Sequence, residues 1–220
     1  MVENDGNFHC IFYIENMVSN KHWDFYSRFY NPLLKIMAKE RSVLYQNLAL
    51  DLQQPLNIYV AGCGTGLDFP YLPPNSYVHA VDFADQMLLR AHRMADKLQL
   101  NMQLKQARAE HSGLADNSQD LVILHLILAV TNQPQQLLDE AVRVLKPNGI
   151  ISVWDKFLPD GKQPSLMRNL VNSFTTKMAT SINLQIEPLL SNLPLRIIHR
   201  EFRLAGLMQH IVLQKQEKSL

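Results

Sequence analysis

The sequence has little of several things that would narrow its function at once. It has only two cysteines, Cys10 and Cys63, far apart in the chain. A disulfide framework needs more of them, so a reducing compartment is expected; Cys63 reads as a small packing residue, with no base beside it to make it a nucleophile. It has almost no excess charge, since 21 Lys and Arg stand against 20 Asp and Glu, and this removes any global pull toward nucleic acid or an anionic membrane. It lacks a long hydrophobic run. The longest, "LVILHLILAV" from Leu121 to Val130, falls well short of the roughly 20 residues of a spanning helix and is interrupted by His125. The start, "MVENDGNFHC", has neither the basic opening nor the apolar centre of a secretion signal, so a cytoplasmic protein is expected. The histidines other than His125 (His9, His22, His79, His92, His111, His199, His210) show no ligand spacing such as H-E-x-x-H, and no metal is expected.

What is present centres on "NIYVAGCGTGLDFP", residues 57–70, where Gly62, Gly64 and Gly66 follow an apolar run. Two phosphate-binding motifs fail here. Leu67 stands where a dinucleotide fold needs its third glycine, and Gly66 is followed by Leu67 and Asp68 instead of the Lys-Ser/Thr of a P-loop. The G-x-G-x-G spacing suits a ligand whose non-phosphate body approaches the strand end closely. A second apolar run, Tyr77 to Val81, ends at Asp82, where a carboxylate can accept from both hydroxyls of a ribose. A ligand with a ribose and no pyrophosphate is therefore expected. Asp82 could equally cap a helix beginning near Ala84.

With 47% hydrophobic and 19% charged residues, the chain can fill one full-sized core, and a single domain over 1–220 is expected. Within it, 1–50 reads as an N-terminal helical cap, 51–155 as a ligand-binding core, and 156–220 as a helical insert with a C-terminal β-hairpin. In the cap, Trp23, Tyr26, Tyr30, Leu33 and Leu34 recur at helical spacing, which predicts an amphipathic helix over His22 to Met37. The core alternates strands near 56–61, 77–82, 102–107, "QDLVILHL" and "KPNGIISVWD" with helices in "ADQMLLRAHRMADKLQL" and "QPQQLLDEAVRVL". Asn148-Gly149 reads as a tight turn feeding the fifth strand. Such alternation predicts a doubly wound α/β fold with a mostly parallel sheet. Helical character over Pro164 to Leu190, then two β-rich runs about Ala205-Gly206, predict an antiparallel hairpin at the end.

"VAGCGTG", "VDFADQML", "ARAEHSGLADNSQD" and "LDEAVRVLKPNGII", in this order and spacing, resemble the class I S-adenosylmethionine-dependent methyltransferases. "GTGLDFPYLP" and "WDKFLP" are most similar to the small-molecule and lipid branch, with its ubiquinone-biosynthesis, phosphatidylethanolamine and thiol methyltransferase-like members. The resemblance implies a Rossmann-like seven-stranded sheet, an N-terminal helical lid, S-adenosylmethionine as cofactor and S-adenosylhomocysteine as its product. It places Ala61, Gly62, Gly64 and Gly66 along the methionine portion, Asp82 on the ribose hydroxyls, and Phe83 and Met87 beside the adenine. Ala109 would meet a ring nitrogen through its N–H, and Leu124 and His125 would offer backbone near the methionine portion. Tyr26 and Tyr30, four apart on one helix face, would close over the sulfonium as acceptor-side catalytic residues together with His125; core packing is the competing role for all three. Asp155 and Lys156 either face the acceptor or pair with solvent.

Two positions depart from the family pattern. Val60 stands where a carboxylate usually helps hold the cofactor ammonium, and Arg108 stands where an Asp usually accepts from the adenine amino group, with Glu110 a nearby substitute. Methyl transfer from a sulfonium is an in-line displacement from an already activated donor, so placing the acceptor and excluding water are the main tasks. That accounts for a chain with no nucleophilic triad. The lack of an N-P-P-Y run at "HLILAVTNQP" points away from amide and adenine N-methylation. A small or lipid-like acceptor is expected, with no nucleic-acid partner and no integral membrane segment; a methyltransferase-like protein acting without catalysis, through a partner, is the alternative.

Overall fold

The computed structural model describes residues 37–51, 53–157 and 184–217. The helix expected over His22 to Met37, with Tyr26 and Tyr30, lies outside the described residues except at Met37, and so does most of the segment from Pro164 to Leu190.

Seven strands form one sheet: β1 (Asn57–Ala61), β2 (Tyr77–Asp82), β3 (Met102–Gln106), β4 (Gln119–His125), β5 (Leu145–Asp155), β6 (Leu195–Arg203) and β7 (Met208–Lys215). Their order is β3-β2-β1-β4-β5-β7-β6. The first five are parallel, and β7 runs antiparallel between β5 and β6. The doubly wound sheet and the C-terminal hairpin expected from the sequence are both present. The hairpin turns through a short 3-10 segment, Leu204–Gly206, whose glycine takes a φ of +86°, a conformation open to glycine at little cost.

Helices cover both faces because alternate residues of the central strands are buried on opposite sides. On one face α1 (residues 37–46) and α2 (Asp85–Leu98) pack over Ile58, Val60, Leu121, Ile123 and Trp154. α2 presents Leu88, Ala91, Met94 and Ala95 to this core, the three- and four-residue spacing of one helical stripe; burying a side chain such as Leu88 contributes about 1.5–3 kcal/mol. On the other face α3 (Pro134–Val144) and the single turn α4 (Glu187–Leu190) cover Tyr59, Val122, Leu124 and Val153.

The turn expected at Asn148-Gly149 lies inside β5. Gln119 pairs with Leu145 and Leu121 with Ile150, so residues 146–149 are looped out of the ladder, and Asn148 takes a φ of +61°. Asparagine tolerates that left-handed conformation, which lets the chain bulge and rejoin the sheet.

Candidate functional site

The ligand-binding positions of an open α/β sheet lie at the carboxyl ends of the strands, where chain direction reverses. Here that point falls between β1 and β4, and the glycine loop leaves β1 directly into it. All three loop glycines have positive φ, but their surroundings differ. A Cβ on Gly62 would collide with Ile127, and one on Gly66 would sit 2.7 Å from the Phe69 ring, so protein side chains fill the space beside both. Beside Gly64 there is nothing within 4 Å. Of the three, Gly64 is the one that keeps open room for a ligand.

Asp82, at the end of β2, fixes this loop. Its Oδ2 accepts from the Gly64 N–H at 2.8 Å and its Oδ1 from the Ala84 N–H at 2.9 Å. An ionised carboxylate offers about four lone-pair directions, so these two bonds aim the group and leave acceptor capacity for a pair of ligand hydroxyls. Ala84, not Asp82, is the N-cap of α2, and it makes no side-chain cap. Phe83 and Met87 follow as exposed apolar residues, at 76% and 42% exposure. Two exposed apolar groups beside a carboxylate with spare acceptor capacity are the kind of surface on which a flat ring can rest.

The opposite edge is the loop after β3. Tyr59, deep under the sheet, donates to the Ala109 carbonyl at 2.7 Å, while Ala109 N–H donates to no acceptor among the described residues. The loop is tied to α3 by Glu140, which accepts from Ser112 N–H at 2.8 Å, and by Arg143, which bonds both Glu140 and the Leu114 carbonyl. Arg108 pairs with Glu110 at 3.5 Å, and Glu110 also accepts from the Thr131 hydroxyl, so its carboxylate is already engaged. Val60 is buried in the hydrophobic core that also holds Cys63 and Phe69. Burial pushes the Cys63 thiol up to about 12, which keeps it neutral and fits the packing role.

Beside the loop lies a buried polar cluster. Asp68 Oδ1 is met by Arg41 Nε at 3.2 Å and by His125 Nδ1 at 2.7 Å, and Tyr45 donates to it at 3.5 Å. Burial alone would raise the Asp68 pKa, but Arg41 and His125 together pull it well below the usual carboxylate range. The other ring nitrogen of His125, Nε2, is 2.9 Å from Ser152 Oγ, and Ser152 Oγ is 3.1 Å from His210 Nε2. With its ring buried and both nitrogens engaged, His125 braces β4 against the glycine loop and β5. Leu124 is buried on the opposite face of β4. Asp155 is also buried, accepting from Ala129 N–H at 3.0 Å and Lys156 N–H at 2.8 Å; burial raises its pKa despite these bonds.

Reading the sequence did not single out Arg41, Asp68 or Ser152. Asp68 carried a signal, a charge two residues past a glycine loop that has no lysine to answer it. Arg41 and Ser152 carried only that of polar residues inside apolar stretches.

A glycine loop with one open glycine and an acid held by two backbone N–H groups at the end of the neighbouring strand, set at the switch point of the sheet, define the class: a doubly wound α/β protein with a candidate ligand site at the carboxyl ends of β1 and β2. The chain matches the methyltransferase domain family over residues 60–153. It is 29% identical over 142 residues to the thiol S-methyltransferase TMT1B of Rattus norvegicus, covering 62% of this chain and 58% of that protein. It is 23% identical over 141 residues to the phosphatidylethanolamine N-methyltransferase of Cereibacter sphaeroides, covering 63% and 70%. Among solved structures, geranyl diphosphate methyltransferase in complex with SAM superposes with a TM-score of 0.67 at 12% identity over 82% of this chain and 85% of that one, a likeness of fold. The chain spans about half the length of the thiol methyltransferases it matches, from 40% to 58%. No helix among the described residues is long and apolar enough to cross a membrane.

Proposed function

We propose that this chain binds S-adenosylmethionine and transfers its methyl group to a small or lipid-like acceptor. The observation that carries this is the pairing of Gly64, open on its side-chain face, with Asp82, whose carboxylate is aimed by two backbone N–H groups at the same opening. The residues present fit the cofactor: Asp82 would accept from the ribose hydroxyls, Phe83 and Met87 would flank the adenine, and the Ala109 N–H would donate to a ring nitrogen. Ala61, Gly62, Gly64 and Gly66 would line the methionine portion, with backbone at Leu124 and His125 on its far side. When bound, the cofactor supplies an activated methyl group. The chain's share is to hold the acceptor on the methyl axis and keep water out.

The match of residues 60–153 to the methyltransferase domain family, and relatives named for thiol and phosphatidylethanolamine methylation, support a small or amphipathic acceptor. The near-neutral charge supports a partner other than nucleic acid. Tyr26 and Tyr30 are assigned to the acceptor side, and a cytoplasmic location is the reading that the sequence supports. Val60 and the engaged Glu110 favour a second reading, a methyltransferase-like protein with weakened cofactor binding that acts through a partner.

A thermal shift with S-adenosylmethionine and S-adenosylhomocysteine separates the two, because a ligand that binds only the folded state raises its apparent stability. A rise with both is expected. No rise at millimolar ligand would favour the second reading. Where binding holds, loss of methyl transfer in Tyr26→Phe or Tyr30→Phe with cofactor affinity unchanged would mark that hydroxyl as acceptor-orienting; equal turnover in both would remove them from the site.

A further inference from the structure

The C-terminal hairpin gathers His199, Glu201 and His210, whose ligand atoms lie within 4.8 Å of one another. His199 and Glu201 are two apart on β6 and so share one face, and His210 lies directly across on β7 as the pairing partner of Glu201. Linear spacing predicts no metal here, because the third residue comes from the neighbouring strand.

Beneath the hairpin, Ser152 Oγ lies 3.1 Å from His210 Nε2 and holds the ring. The other ring nitrogen, Nδ1, belongs to a residue with no exposed surface and faces Glu201 Oε1 at 3.6 Å. Neither His210 Nδ1 nor His199 Nε2, which is 3.7 Å from the same oxygen, has a hydrogen-bond partner among the described residues.

A buried imidazole nitrogen without a partner, facing a carboxylate oxygen that a second imidazole nitrogen also approaches, is an arrangement that a cation can bridge. We propose that His199 Nε2, His210 Nδ1 and Glu201 Oε1 form a binding site for a divalent transition-metal ion of the zinc type. Two imidazole nitrogens and a carboxylate oxygen are a donor set that such ions accept with a further position open. Bonds of about 2.0–2.1 Å at tetrahedral angles place ligand atoms about 3.3 Å apart, close to the 3.6 and 3.7 Å found. The surrounding contacts resemble those that orient metal ligands. Asn47 Nδ2 donates to Glu201 Oε1 at 3.1 Å, Arg203 holds Oε2 at 3.3 Å and is itself paired with Glu40 at 2.6 Å, and Ser152 fixes the His210 ring. Because Asn47 and Glu40 belong to α1 and the turn after it, an ion here would fasten the hairpin to the helix that covers the sheet.

The test is calorimetric titration of chelator-treated full-length protein with zinc ion alone at neutral pH. One tight equivalent is expected, weakened at least tenfold in His199→Gln and in Glu201→Gln and unchanged in His92→Gln, whose imidazole is exposed and remote from the hairpin. Circular dichroism of each variant reports folding; His199 is partly exposed, so His199→Gln keeps the test valid if Glu201→Gln misfolds. Absence of a stoichiometric site, or the same affinity in His199→Gln as in the parent, would overturn the proposal.

Discussion

The two halves of the sheet's carboxyl edge are built in different ways. At β1 and β2 the candidate cofactor site comes from two short stretches, and its working parts are mostly backbone: Gly64, the amides aimed at Asp82, and the Ala109 N–H. At β4, β5, β7 and β6 the polar groups are side chains drawn from α1, the glycine loop and four strands, running from Arg41 through Asp68, His125, Ser152 and His210 to Glu201. The first half leaves an opening that a ligand can enter. The second closes on itself and holds α1 down. Ligand recognition and framework therefore separate spatially, and substitutions in one half should leave the other's readout largely alone.

The sharpest break between the halves is expected from Asp68→Ala. Removing the carboxylate leaves Arg41 buried without its counter-charge and His125 Nδ1 without its partner, a loss of about 3–5 kcal/mol, read as a drop in the denaturation midpoint, with cofactor affinity preserved wherever the protein is folded. Equal losses of stability and affinity would mean that the halves are one unit. Asp82→Asn reverses the pattern. It keeps one acceptor oxygen for the loop but loses the charge, and cofactor binding should weaken by about 1.5–3 kcal/mol in calorimetry while the midpoint moves less.

A third test uses pH. The folded-state pKa of His210, about 3, lies below its ordinary value of 6.5, so between these limits the unfolded chain binds the proton that the folded one refuses. Stability should then fall as pH drops from about 6.5 toward 3, and Asp68, whose pKa is also lowered, adds to the loss at the acidic end. Denaturation midpoints measured with chelator present should show this slope, and His210→Gln should flatten it. An unchanged slope would remove His210 from the account. The smallest effect is expected from Phe83→Ala, about 0.5–1.5 kcal/mol of cofactor affinity, because one exposed ring face is lost; no change in affinity would leave the adenine flanked by Met87 alone.

The same division explains what could be read in the sequence. The glycine loop, Asp82 and the strand-helix alternation are local patterns, each resting on residues a few positions apart, and they led to the sheet and to the candidate cofactor residues. The bulge at 146–149 escaped because Asn148-Gly149 has the same composition in a turn and in a loop set inside a strand. The cluster around Asp68 escaped because even its directly bonded pairs are up to 58 positions apart in sequence, as Ser152 and His210 are, and only strand order brings them together. The distinction among the three glycines also needed the fold, since Ile127 and Phe69 decide which of them is open.

The claim on which the rest depends is that Gly64 opens onto the cofactor. Calorimetric titration of S-adenosylhomocysteine into the parent and into Gly64→Val measures it, with the thermal midpoint of each as a check on folding. The expected result is one binding equivalent for the parent and at least a hundredfold loss in the folded variant, because a branched side chain would fill the open space and strain a backbone held at a φ of +55°. A folded Gly64→Val protein that binds as tightly as the parent would contradict the account.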